Sequence, residues 1–174
     1  MADATKVLLN DHQRLRRMLK GFTWGTYDQA MAICDEFIIQ ATVNDELVYP
    51  AVREKVDARL ADRAEESQDN LKGLMGDICE LEPDDPNLAM TVARFKDAAI
   101  RHMAMEEIDI YPKVNGAFRD TLYEMGNQVW ALRQELLQVK PSRGSRAQPL
   151  TGNTGWGKQL LDKAKGGLTA NLGY

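Results

Sequence analysis

Over the first 139 positions, apolar residues recur at intervals of three and four and never in strict alternation, so the pattern predicts helices and no strands. A first helix is predicted from about Thr5 to Gly21, with Val7, Leu8, Leu15, Met18 and Leu19 on its inner face. A second starts near Tyr27 and passes Met31, Cys34, Phe37, Ile38 and Val48. Pro50 then kinks or interrupts it, because proline lacks an N–H and clashes with the preceding turn. A third covers about Asp57 to Leu81, with Leu60, Ala64, Leu71, Leu74, Met75 and Ile78 inward. The two prolines of EPDDPN, residues 82–87, break the chain. A fourth turns Leu88, Val92, Phe95 and Ala99 inward and reaches Pro112. A fifth, about Arg119 to Val139, rests on Leu122, Met125, Val129, Leu132 and Leu136.

Polar residues interrupt these apolar faces. His12 falls on the first, Gln40 and Asn44 on the second, Gln68 on the third, and His102 with Glu106 on the fourth. Residues four apart in a helix lie one turn apart on the same face, so His102 and Glu106 aim an imidazole and a carboxylate at one spot. One such pair arises by chance on surface helices. A polar layer spread over four helices is how helical bundles build metal sites.

Two phrases echo each other 62 residues apart: QATVNDELVYP, 40–50, and HMAMEEIDIYP, 102–112. With DHQRLRRML on the first helix and ESQDNLKGLM on the third, they make residues 5–139 resemble the hemerythrin-like, or HHE cation-binding, family. The resemblance implies an up-down four-helix bundle with the fifth helix as an extension, all-α throughout. In that family the second and fourth helices each supply a histidine and a bridging glutamate, the first and third supply histidines, and together they hold two irons. This chain matches the pattern at His12, His102 and Glu106. It departs at Gln40 and Gln68, where histidines are expected, and at Asn44, where a bridging carboxylate is expected. A full di-iron centre is therefore not expected.

Two readings of the layer remain. His12, His102 and Glu106 have the composition of a two-histidine, one-carboxylate site for a single iron with open positions for O2, peroxide or nitric oxide. That ion would have to sit between positions that serve different irons in the family. Asp45 or Glu46 could replace the lost carboxylate, but they lie roughly 100° and 200° around the helix from Asn44. Alternatively the site holds no metal, or holds it weakly, and the amides satisfy one another because each both donates and accepts. Glu107 is expected on a solvated face, and Tyr49-Pro50 and Tyr111-Pro112 are expected to be structural, ending or bending helices.

Composition changes at Lys140. Residues 140–174 hold six Lys/Arg against one acid, and seven of the 13 glycines, which leaves residues 1–139 at −9 within a net charge of −4. An acidic body argues against nucleic-acid binding. The basic, Gly-rich tail places Trp156, Lys158, Leu160, Leu161, Leu172 and Tyr174 where they can order on a protein partner. No run approaches the roughly 18–20 apolar residues that span a bilayer, so no membrane insertion is expected. The opening twelve residues offer no signal peptide, and Cys34 and Cys79, without C-x-x-C spacing, read as reduced, partly buried thiols of a cytoplasmic protein. Neither has a histidine at helical spacing, and no phosphate-binding glycine loop is present, so neither Cys-His nor nucleotide chemistry is supported. The expected function is an accessory or adaptor protein with a degenerate iron site, more binding module than enzyme. The mononuclear iron protein is the alternative.

Overall fold

The computed structural model describes residues 3–23 and 25–139. The expected docking residues Trp156, Lys158, Leu160, Leu161, Leu172 and Tyr174 lie outside the described residues. Within them all regular structure is helical. Helix α1 spans Ala4–Gly21, α2 Tyr27–Val43, α3 Tyr49–Lys55, α4 Ala58–Cys79, α5 Leu88–Met105, α6 Tyr111–Ala117 and α7 Leu122–Val139. Side chains start several of them. Asp3 accepts from the Lys6 N–H, Thr26 and Gln29 form a reciprocal capping box, and Asp57 accepts from the Arg59 N–H.

The predicted second and fourth helices are each built in two parts. A π turn, Asn44–Val48, joins α2 to α3, and another, Glu106–Ile110, joins α5 to α6. Pro50 and Pro112 sit in the first turns of α3 and α6, where a missing N–H costs nothing. The interruption expected at Pro50 therefore begins six residues earlier, at Asn44, and it recurs before Pro112.

Buried apolar side chains form two clusters rather than one. The first gathers Leu8, Ile39, Val43, Val52, Ala64, Ile110, Val114 and Val129. The second gathers Leu15, Leu19, Ile33, Phe37, Leu71, Ile78, Val92, Phe95 and Ala99, with Phe37 and Phe95 edge to face at 5.2 Å between ring centroids. The inward positions read from periodicity are buried or half-buried in these clusters. The polar residues lie between the clusters in sequence on each helix: His12 between Leu8 and Leu15, Gln40 between Phe37 and Val43, Gln68 between Ala64 and Leu71, and His102 between Ala99 and Ile110.

Helix α7 packs on α1 and α2, and an ion cluster pins it there. Arg133, only 3% exposed, reaches Asp11 at 3.2 Å and Glu36 at 2.9 Å. Burial raises the Asp11 pKa to about 6, against the opposing pull of Arg133. Breaking a buried ion cluster by removing one partner strands the remaining charges. Arg133→Met should therefore lower unfolding free energy by about 3–5 kcal/mol, read from urea denaturation of the full chain.

Candidate functional site

The six polar positions read from the sequence converge. His12, Gln40, Asn44, Gln68, His102 and Glu106 line one cavity, closed by Leu15, Phe37, Ala41, Leu71, Ala99 and Met103. Its volume is about 10 Å³, room for about one water-sized occupant.

At the centre is Glu106, with no exposed surface. Its Oε1 accepts from the Tyr49 hydroxyl at 2.6 Å and from the Asn44 amide at 3.0 Å. Its Oε2 lies 3.0 Å from Nε2 of His12. Burial alone would favour the neutral acid. The His12 hydrogen bond, the electrostatic pull of the two imidazoles and the Tyr49 hydroxyl together hold its pKa below the ordinary carboxylate value. His12 also binds Glu107 through Nδ1 at 2.8 Å, and Tyr111 Oη lies 3.0 Å from its Nε2. Burial works against the imidazolium, but hydrogen bonds to two carboxylates outweigh it and raise the His12 pKa. His12 is thus the countercharge of Glu106.

His102 differs. Its Nδ1 lies 3.0 Å from Ser67 Oγ, and its Nε2 is 3.6 Å from Glu106 and 3.4 Å from the Tyr49 oxygen. Burial depresses its pKa, with the Glu106 charge opposing, so it is the neutral histidine of the pair.

The amides divide into two groups. Asn44 donates to Glu106 and, at 3.2 Å, to Gln68 Oε1, while Gln68 donates to Asp45 at 2.7 Å and to the Ala41 carbonyl at 3.3 Å. Asp45 is held in turn by Lys72 at 3.0 Å, so it supports Gln68 from behind instead of replacing the carboxylate missing at Asn44. Gln40 turns away, donating to the Asp11 carbonyl at 2.8 Å and to Glu36 at 3.4 Å, on the side of the Arg133 cluster. Asn44 Oδ1 is buried without a protein partner.

Several participants were not expected. Tyr49 and Tyr111 are not merely helix-ending residues, because both hydroxyls enter the polar network. The π turns are the cause. The N–H of Tyr49 bonds the Asn44 carbonyl and that of Tyr111 bonds the Glu106 carbonyl, so residues five apart come to stack where a regular helix stacks those four apart. The duplicated spacing, N-x4-Y-P and E-x4-Y-P, was the signal. Glu107 is not on a solvated face either. It is clasped by His12 and by both terminal nitrogens of Arg16, at 2.7 and 3.1 Å. Its signal was the His12/Arg16 pair, four apart on α1. Ser67 and Arg133 carried none beyond a polar residue near an apolar stripe.

The donors do not suit two irons. Glu106 is the one carboxylate lining a cavity with space for a single small occupant, beside two histidines and three amides. Among the described residues, no group of three or more His, Cys, Asp or Glu side chains is set to hold a metal. Nor does any described helix have the length and apolarity to cross a membrane. No family model, curated protein or solved structure matches the chain.

Removing the Tyr49 hydroxyl leaves Glu106 Oε1 with a single donor. Tyr49→Phe should therefore destabilise the fold by about 1–3 kcal/mol in urea titrations. Glu107 contributes to the acid limb: the His12 hydrogen bond, and then Arg16, lower its pKa from 4.5 to about 2. A carboxyl depressed on folding contributes stability that is complete above its unfolded value and is lost as pH falls through its folded value. Glu107→Gln should therefore flatten the pH dependence of stability between those two values. His12, raised above 6.5, acts oppositely: its contribution is complete below that value and lost as pH rises through the folded one.

Proposed function

We propose that the chain is a hemerythrin-like up-down four-helix bundle whose metal centre has become a hydrogen-bonded polar layer. On this reading it works as a non-catalytic accessory or adaptor protein that docks on a larger assembly through residues 140–174. The order of core contacts supports the bundle. Helix α1 runs from the Leu8 cluster to the Leu15 cluster, α2 returns from Phe37 to Val43, α4 goes from Ala64 to Leu71, and α5 comes back from Ala99 to Ile110 beyond its π turn. The observation that carries the functional reading is Glu106. Both oxygens of this fully buried carboxylate are engaged by protein donors, and His12 balances its charge without a metal. The docking role rests on the composition of the tail.

One observation favours a second reading, a mononuclear non-haem iron protein that binds or reacts with O2, peroxide or nitric oxide. Asn44 Oδ1 is a buried acceptor without a protein partner, on a cavity that both histidines and Glu106 also line. A single ion there would take His12, His102 and Glu106 as ligands.

Elemental analysis of the full chain, purified without chelator, separates the two. The polar-layer reading expects iron far below one per chain, and the same in wild type and His102→Ala. About one iron per chain, lost in His102→Ala, overturns it. Docking is tested by size-exclusion of extracts of the native source. The full chain should elute with a large assembly, and a chain ending at Val139 should elute alone. A truncated chain that still co-elutes removes the tail from the proposal.

A further inference from the structure

The donors of Asn44 fix which way its side chain faces. Its Nδ2 lies 3.0 Å from Glu106 Oε1, 3.2 Å from Gln68 Oε1 and 3.3 Å from the Tyr49 oxygen. Gln68 is fixed in the same way: its own Nε2 donates to Asp45 and to the Ala41 carbonyl, so its Oε1 is the atom that meets Asn44. Turning the Asn44 amide over would set Oδ1 against a carboxylate oxygen and an amide oxygen, neither of which donates. Oδ1 therefore keeps its place, buried, with no protein donor. A buried acceptor of this kind calls for one.

The other walls of the cavity supply none. Leu15, Phe37, Leu71 and Met103 are apolar. Gln40 Nε2 is committed to the Asp11 carbonyl and Glu36, and both ring nitrogens of His12 are committed to carboxylates. His102 is different. Its Nδ1 meets Ser67 at 3.0 Å, but its Nε2 has only the long approaches of 3.4 Å to the Tyr49 oxygen and 3.6 Å to Glu106.

We propose that the cavity is a binding site for one water molecule, which donates to Asn44 Oδ1 and bridges it to Nε2 of His102. The inference rests on the polar-layer reading, since an ion would take the same space. Size selects the ligand: about 10 Å³ matches the roughly 10–15 Å³ that a single water needs, and leaves no room for a larger molecule. Chemistry selects it too. Water donates to a carbonyl oxygen that only accepts, and it either donates to or accepts from Nε2, whichever ring nitrogen of His102 holds the proton. Bound there, it links the π turn that begins at Asn44 to α5. Donation to Oδ1 also polarises the amide, which makes Nδ2 a better donor to Glu106.

The test is a crystal structure of the full-length chain, with anomalous data collected at the iron edge. One isolated density peak is expected about 2.7–3.0 Å from Asn44 Oδ1, without anomalous signal. Ala99→Val builds out an apolar wall of the cavity. Oxygen-17 relaxation dispersion should count one long-lived internal water fewer in that folded variant than in wild type. A cavity without density, an Asn44 turned so that Oδ1 accepts from a protein donor, or an equal water count in Ala99→Val overturns the water site and leaves the polar layer standing. An anomalous peak bonded to His12, His102 or Glu106 overturns both.

Discussion

A carboxylate removed from water must be neutralised or matched, and Glu106 is removed completely. The arrangement of this protein's centre follows from that single requirement. Matching its charge takes a protonated histidine, which is itself buried and needs a second anion to stay protonated. Glu107 supplies it, and Arg16, half-exposed, carries the surplus negative charge toward the surface. The chain Glu106–His12–Glu107–Arg16 thus alternates in sign from the core outward, and each member is stable because of the one beside it. Low dielectric strengthens every link and makes each one costly to break.

The second consequence concerns the other oxygen. Glu106 Oε1 needs donors from helices on the far side, and a histidine there would have to be neutral, as His102 is, or add a second positive charge. Amides avoid that choice. Asn44 gives one N–H to the carboxylate and the other to Gln68, and Gln68 passes the demand on to Asp45 and the Ala41 carbonyl. One negative and one positive charge at the centre are therefore balanced locally. Gln40, at the remaining position, needs no part in this and instead ties α2 to α1 beside the Arg133 cluster.

Much of this was legible in the sequence because helical periodicity acts on every residue in the same way. The helices, their inward apolar positions and the six polar interruptions are all statements about a repeat of 3.6, and the structure brings those six residues to one cavity. What the sequence left hidden departs from that repeat or depends on tertiary neighbours. A π turn shifts phase by one residue, so Tyr49 and Tyr111 read as outside the layer when they are in it. Glu107 has the phase of a solvated residue, and becomes half-buried only because α1 presents His12 and Arg16 to it. Arg133 looks like a charge beside an apolar stripe until Asp11 and Glu36, more than 90 residues away, are seen to meet it. Periodicity assigns faces; it does not say which face meets which.

A buried polar layer of this size is no economical source of stability, since well-packed apolar side chains of equal volume would do as well or better. Its effect on the fold is selective. Each polar group here has few acceptable partners, set at hydrogen-bond distance on particular neighbouring helices, so sliding any helix by one turn would strand Glu106 or an amide in the core. The apolar clusters on either side tolerate such slips far better, because apolar contact is non-directional. The layer therefore fixes the register of four helices against one another, and the two π turns are part of the same device: they let each tyrosine reach back into the layer while its proline starts a new helix beyond it. A bundle can keep that use of its centre with or without an ion.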